Sequence, residues 1–506
     1  MEKAILRILK AIKRKEKIAL WGDYDTDGIC AAILLFEALN YLGAFSVEIY
    51  LPEKETEGYG LNKEGIKKLA KKKISLIITC DCGISSVEEV KLASSLGIEV
   101  VISDHHKIPE RLPDAYAILN PHQRENGYPF ADLSGVGVTF KLAQALLEKS
   151  ERHSKIENQN FLKWQLDLVA LGTLADIVSV TDENRVLVKY GLLVLSKTQR
   201  PGLSTLFRIC NITPSRISSY DISYKLAPRL NAAGRLASPY LALNLLLEKE
   251  PSEAAKIALD LDQLNLKRQR LTEKVLAEAK KQIEIDKETK LIIVSGKRWP
   301  LGILGNVASR LKEEYGMPTL VLSEANGQHT GSARSIDGFD ITEALGTCGD
   351  LLLKFGGHAR AAGLSLTPEA FESLAMRLHD LAGQHLTYSD LSPILNIDAI
   401  LDLDEINIEN FKTLQSLEPF GLGNPKPNFL AKEMKIQKIE KVGGNRHLKL
   451  LVSSGKKVIS AIGFGLGKSK LNIGEKINLV FNLILDDYNN QDTIALKIID
   501  FKKSSI

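Results

Sequence analysis

Apolar residues in the first 200 positions fall into two rhythms. Short, nearly continuous runs recur: "KIALWG" (17–22), "VEIYLP" (47–52), "SLIITC" (75–80), "IEVVIS" (98–103) and "AYAILN" (115–120). Runs of that length without polar alternation are expected of strands covered on both faces. Between them, "AAILLFEALNYLG" and "SSVEEVKLASSLG" repeat apolar positions at helical spacing and stop at a glycine. The opening "MEKAILRILKAIKRKEKIAL" reads as a basic amphipathic helix running into the first strand. Strand and helix in alternation predict a mostly parallel sheet, with ligands gathered beyond the carboxyl ends of its strands.

The rhythm breaks near "KTQRPGLSTL". Residues 250–285 then carry no internal Gly and no Pro beyond the first turn, predicting one long charged helix. "KLIIVSG" (290–296) opens a second α/β unit, with "MPTLVLSE" as a further strand, "FGGHARAAGLSL" behind it and a helix to about residue 385. After the loop "LEPFGLGNPKPNF" (417–429), five β-rich segments follow one another, which predicts a small OB-like barrel. The expected fold class is therefore α/β: a parallel-sheet domain, a long connecting helix, a second α/β domain and a β-barrel. The expected divisions are 1–205, 206–289, 290–390 and 391–506.

Composition adds little. A formal charge of +4 over 506 residues points to nucleic acid only if it is locally concentrated. The five cysteines are scattered, as in a reducing compartment, and Cys80-x-Cys82 lacks the second pair that zinc would need. No apolar run reaches the length of a membrane span and no signal-peptide pattern opens the chain, so a cytoplasmic protein with no membrane contact is expected.

The acids change the picture. Asp23, Asp25 and Asp27 follow the first strand in "GDYDTDG", Asp81 follows the third in "CDCG", Asp104, His105 and His106 follow the fourth, and Asp176 ends the apolar "LGTLAD". Each has an ordinary reading as a turn, a helix cap or a satisfied core acid. Sheet topology, however, sends several of these loops to one rim, where converging carboxylates need cations between them. Oxygen ligands suit magnesium, and added imidazole suits manganese. Two ions about 3.5–4 Å apart would clamp a phosphoryl group and activate a water.

In order and spacing, "DYDTDG", "CDCG", "SDHH" and "LADIVS" resemble the four motifs of the DHH phosphoesterases. "APRLNAAGRL" (227–236), "LNLKRQ" (264–269), "GSARS" (331–335), "GGHARAAG" (356–363) and "LEPFGLGNPKP" narrow the resemblance to the RecJ single-strand-specific exonucleases, over nearly the whole chain. It implies that Asp23, Asp25, Asp81, His105 and Asp176 hold two Mn²⁺ or Mg²⁺ ions. It also implies that His106 faces the scissile phosphate, that Asp104 braces the loop, and that Asp27 does likewise or caps the following helix. Ser332 and Arg334 are implied to bind phosphate, as are Gly356, Gly357 and His358 in a DHHA1 domain closing over the site. Asn231, Arg235 and Tyr59 would grip the strand, Tyr59 by stacking a base; Lys54 stands where the family usually carries an arginine. Lys267, Arg268 and Arg270 on the long helix, and Lys426, His447 and Lys449 on the barrel, are further candidates for the DNA path.

The resemblance implies single-stranded DNA as substrate, digested from 5′ to 3′ in repair and recombination, by a monomer with a helicase and a single-strand-binding protein as candidate partners. Two alternatives compete. One is a DHH enzyme of short oligonucleotides or cyclic dinucleotides, which would need neither long helix nor barrel. The other is a silent DNA-binding scaffold, which would have lost its acids.

Overall fold

In a computed structural model describing residues 1–53, 57–123, 127–392, 394–486 and 493–504, the first sheet is parallel throughout, ordered β2-β1-β3-β4-β5. Chain order runs α1 (Glu2–Lys13), β1 (Lys17–Gly22), α2 (Thr26–Tyr41), β2 (Ser46–Tyr50), α3 (Lys63–Lys71), β3 (Leu76–Cys80), α4 (Val87–Ser95), β4 (Glu99–Ser103) and β5 (Ala117–Leu119). All five expected strands are present, their ends within two residues of those expected. Every residue of β3 is buried, as its unbroken apolar run requires. Helix α2 is apolar almost all round and packs under the sheet. Three helices follow: α5 (Gly135–Lys149), α6 (Lys155–Asp176) and α7 (Asp182–Leu195). Because β1 sends the chain outward to β2 and back across to β3, a crevice opens between the ends of β1 and β3.

The expected long helix exists as α12 (Pro251–Lys280), after α8 (Pro201–Ile209), a turn α9 (Ser219–Asp221) running into a π-helix (Ile222–Leu226), α10 (Ala227–Leu236) and α11 (Tyr240–Leu247). It stops five residues short of the expected end, where the Asp286 carboxylate takes the backbone N–H groups of Glu288 and Thr289 and turns the chain. The start of α12 lies in the first core, through Ala254, Ala258 and Leu261. Its end lies in the second, through Val275, Leu276 and Ala279.

That second core is built on β6 (Ile292–Lys297), α13 (Leu301–Tyr315), β7 (Thr319–Ala325), β8 (Gln328–Arg334), α14 (Ile341–Thr347), β9 (Lys354–His358), β10 (Ala361–Leu366) and α15 (Phe371–His385). The sheet is mixed, ordered β6-β7-β8-β10-β9, and only β6 and β7 pair in parallel.

Residues Ile394–Ile506 form a separate unit from Met1–Pro393. It carries β11 (Ala399–Ile400), α16 (Ile408–Gln415), β12 (Phe429–Val442), β13 (His447–Ser454), β14 (Lys457–Gly463), β15 (Lys476–Asp486) and β16 (Thr493–Lys503). Pairing of β12 with β15 closes the five long strands into the expected barrel.

Candidate metal centre and active site

Strand ends supply the acids. Asp23 follows β1 and is buried. Asp25 is the N-cap of α2, its carboxylate accepting the N–H groups of Asp27 and Gly28 at 3.0 and 3.1 Å. Asp81 leaves β3 at φ +68, a conformation that non-glycine residues seldom take, and its N–H donates to the Ser103 carbonyl at the end of β4. Asp176 is the last residue of α6. Among the described residues three groups of ligand atoms result, Asp23 with Asp25 and Asp81, Asp27 with His105 and Asp176, and Asp81 with His105 and His106, each with its atoms within 4.8 Å of one another. His105 joins them, its Nε2 3.1 Å from Asp81 Oδ1 and 3.5 Å from Asp176 Oδ2.

Asp81 Oδ1 and His105 Nε2 are both buried, and among the described residues neither makes a hydrogen bond. Leaving such atoms unsatisfied costs about 1–3 kcal/mol each. Burial, then the charges of Asp27 and Asp25, push the Asp81 carboxyl far above its ordinary range. Burial and Asp176 push Asp27 up to about 8. This crowding of acids around orphaned atoms fits a pair of divalent cations.

The histidine loop is fixed by one carboxylate. Asp104 accepts the N–H groups of His105 and His106 on Oδ1 and that of Ile84 on Oδ2, at 2.7, 3.1 and 2.9 Å. It also holds His106 Nδ1 at 2.7 Å. Burial would lower the His106 imidazolium, but the Asp104 hydrogen bond together with the charges of Asp81 and Asp104 outweighs it and raises the pKa to about 9. The Asn120 side-chain amide donates to the His106 carbonyl. Tyr59 places its hydroxyl 3.2 Å from the His106 ring nitrogens, with the rings edge to face. Lys54 lies outside the described residues.

Across the cleft, His358 at the tip of β9 lies nearly parallel to His106, ring centroids 6.3 Å apart. Gly357 serves the hairpin, because at φ +152 a Cβ would sit 2.3 Å from the Ala361 carbonyl. A Cβ on Gly356 would meet nothing, so that face of the strand is open. Arg334 and Ser332 on β8 lie against Gly305 of α13, and Arg235 against Gly302 of the same helix. Burial and the charge of Arg235 lower Arg334, and with Arg229 they lower Arg268 to about 10. Among the described residues no acid shifts either guanidinium, and Arg268 Nε is buried without a partner. Such a cluster suits an anion with several oxygens.

Three placements differ from the sequence expectation or extend it. Asp27 caps not the helix it opens but α5, accepting the N–H groups of Gly135 and Val136 at 2.7 and 3.1 Å. Asn231 commits its side-chain oxygen to the Thr26 N–H and hydroxyl, tying α10 to the start of α2. In the barrel unit, His447 accepts the Gly465 N–H and Lys426 is exposed. Two glycines were missed. A Cβ on Gly135 would lie 2.3 Å from Asp81 Oδ1, and one on Gly172 would lie 2.5 Å from Asp27 Oδ1. The signal available was a glycine inside the apolar helix three residues before "AD", and another opening "GVGV".

A parallel sheet whose strand tips converge as acids and paired histidines, faced by a second α/β domain, defines a DHH-type phosphoesterase. Residues 17–173 match the DHH family, N-terminal domain, residues 288–384 the DHHA1 domain, and residues 397–500 the RecJ OB domain. The single-stranded-DNA-specific exonuclease RecJ of Haemophilus influenzae is 34% identical, covering 98% of this chain and 90% of that protein. Its namesake in Bacillus subtilis is 37% identical over 99% of this chain, which spans 63% of the Bacillus protein's length. The crystal structure of Thermus thermophilus RecJ with Mn²⁺ superposes with a TM-score of 0.86 at 27% identity, covering all of this chain and 72% of that one. The chain belongs to the RecJ family. Among the described residues no helix is long and apolar enough to cross a membrane.

Proposed function

We propose that the protein is an exonuclease that digests single-stranded DNA from the 5′ end to 5′-mononucleotides, using two divalent cations, Mn²⁺ or Mg²⁺. The observation that carries this reading is the convergence of two acid groups on the orphaned Asp81 Oδ1 and His105 Nε2. Divalent cations bound there would polarise a phosphodiester and supply a nucleophile at neutral pH. The chain's own residues do the rest. Asp23, Asp25, Asp81, His105 and Asp176 would hold the ions, with Asp27 fastening α5 behind them. Asp104 orients His106, whose ring donates to a phosphate oxygen while His358 approaches from the opposite wall. Ser332, Arg334 and Arg235 take backbone phosphates, and Tyr59 lines the entry. The functional division follows 1–205, 206–289, 290–390 and 391–506. The setting we assign is cytoplasmic repair and recombination, as a monomer working beside a helicase and a single-strand-binding protein.

The test is mononucleotide release from long single-stranded DNA blocked at one end or the other, with Mn²⁺ or Mg²⁺ and Asp81→Ala alongside. Release stopped only by a 5′ block, and lowered at least about a hundredfold in the variant, is the expected result. Duplex cut as fast as single strand, or dinucleotides cleaved while long DNA survives, would sink the assigned substrate.

A further inference from the structure

Tyr220 and Tyr224 stand out because nothing so far uses them. They are 55% and 69% exposed, and their rings stack on each other at 4.8 Å with 27° between planes. The segment beneath them is well anchored. Ile222 and Leu226 on its inner side are fully buried, and Ser218 and Asp221 close a capping box at its start. The Tyr224 stretch is π-helical (Ile222–Leu226), a geometry that recurs at functional sites. A rigid base carrying two projecting rings is a platform rather than a frayed end.

Its position is what gives it meaning. Ser223, between the buried and the projecting residues, donates its hydroxyl to the Leu174 carbonyl at 3.1 Å, two residues before Asp176. The same helical segment runs on into α10, which carries Asn231 at the start of α2 and Arg235 against α13. The segment carrying the ring pair is thus fastened to the last turn of α6, which ends at Asp176, and is one end of a continuous helical path whose other end holds an arginine suited to phosphate. Lys225 sits between, paired with Asp221, and keeps the intervening surface polar. Bases of a single strand offer flat faces to such rings whatever their sequence, and each stacked base strengthens binding about tenfold.

We propose that Tyr220 and Tyr224 form a stacking platform for unpaired nucleobases at the rim of the metal centre, beside Asp176. This rests on the single-strand reading above. The platform makes the strand's bases, and not only its phosphates, part of what the enzyme grips.

The experiment compares full-length protein binding to a thymidine strand and to an abasic strand of equal length, with divalent ions chelated so that neither is cut. Wild type, Tyr220→Ala/Tyr224→Ala and Tyr220→Phe/Tyr224→Phe are measured by the ratio of the two Kd values. The expected ratio favours the thymidine strand in wild type, falls roughly tenfold or more in the Ala variant and returns in the Phe variant. Because the ratio is internal to each protein, a general loss of folding or of phosphate binding leaves it unmoved. An unchanged ratio in the Ala variant overturns the platform while leaving the single-strand reading intact. Equal loss of both strands by the Ala variant overturns it too, and marks the tyrosines as structural. If wild type binds neither strand, the single-strand reading itself falls and takes the platform with it.

Discussion

Asp81 shows how little room a residue in this centre has. Its carboxylate oxygen faces His105 on one side and the backbone of Gly135 on the other, 2.3 Å from where a methyl would be. Gly135→Ala must therefore displace either the ligand or the start of α5. The expected cost is about 1–3 kcal/mol in thermal or denaturant unfolding, with mononucleotide release falling by more than the folded fraction explains. A variant as stable and active as wild type would show that the carboxylate moves freely. The acids themselves are legible from sequence, because each follows an apolar run whose burial it would otherwise spoil. Gly135 and Gly172 are not, since a glycine's necessity lies in what stands next to it, and their neighbours come from other parts of the chain.

At the scale of elements, strands buried on both faces announce themselves without alternation, which is why the parallel sheet is readable in advance. Contacts between distant elements leave no such periodic trace. Asp27 reaches the N-terminus of α5 across 108 residues, and Asn231 reaches Thr26 across 205. Helix α3 escapes notice because only Gly65, Ile66 and Leu69 of it are buried. Helix α1 is fastened in a way that carries a pH signature. Its buried Arg7 holds Glu16 at 2.6 Å and Glu99 at 2.5 Å. Burial pushes the Glu16 carboxyl up, but the Arg7 guanidinium overrides it and holds that carboxyl below its ordinary range. A depressed carboxyl stabilises fully above its unfolded pKa and loses that contribution as pH falls through the folded value. Wild type minus Glu16→Gln, measured by urea unfolding, should therefore shrink by about 1 kcal/mol between pH 6 and pH 3. A difference constant with pH would mean that the ion pair adds nothing.

The whole molecule consists of two units with separate cores, and its cations would bind only one of them. Calorimetry should resolve two unfolding transitions. Millimolar Mn²⁺ should raise the one belonging to Met1–Pro393 by several degrees and leave the barrel's in place, since ions that bind only the folded state stabilise by mass action. A uniform shift of both, or of neither, would contradict that assignment. Within the larger unit, α12 has a part that neither core reveals alone. One stiff helix is built into both domains, so its length and phase set the gap between His106 and His358 as a gauge block sets a pair of jaws. A residue added near its middle would advance the far domain by about 1.5 Å and turn it by about 100°. The spacing of the two walls is in this sense a property of helical register, set by the count of residues along α12 as much as by the side chains that line the cleft.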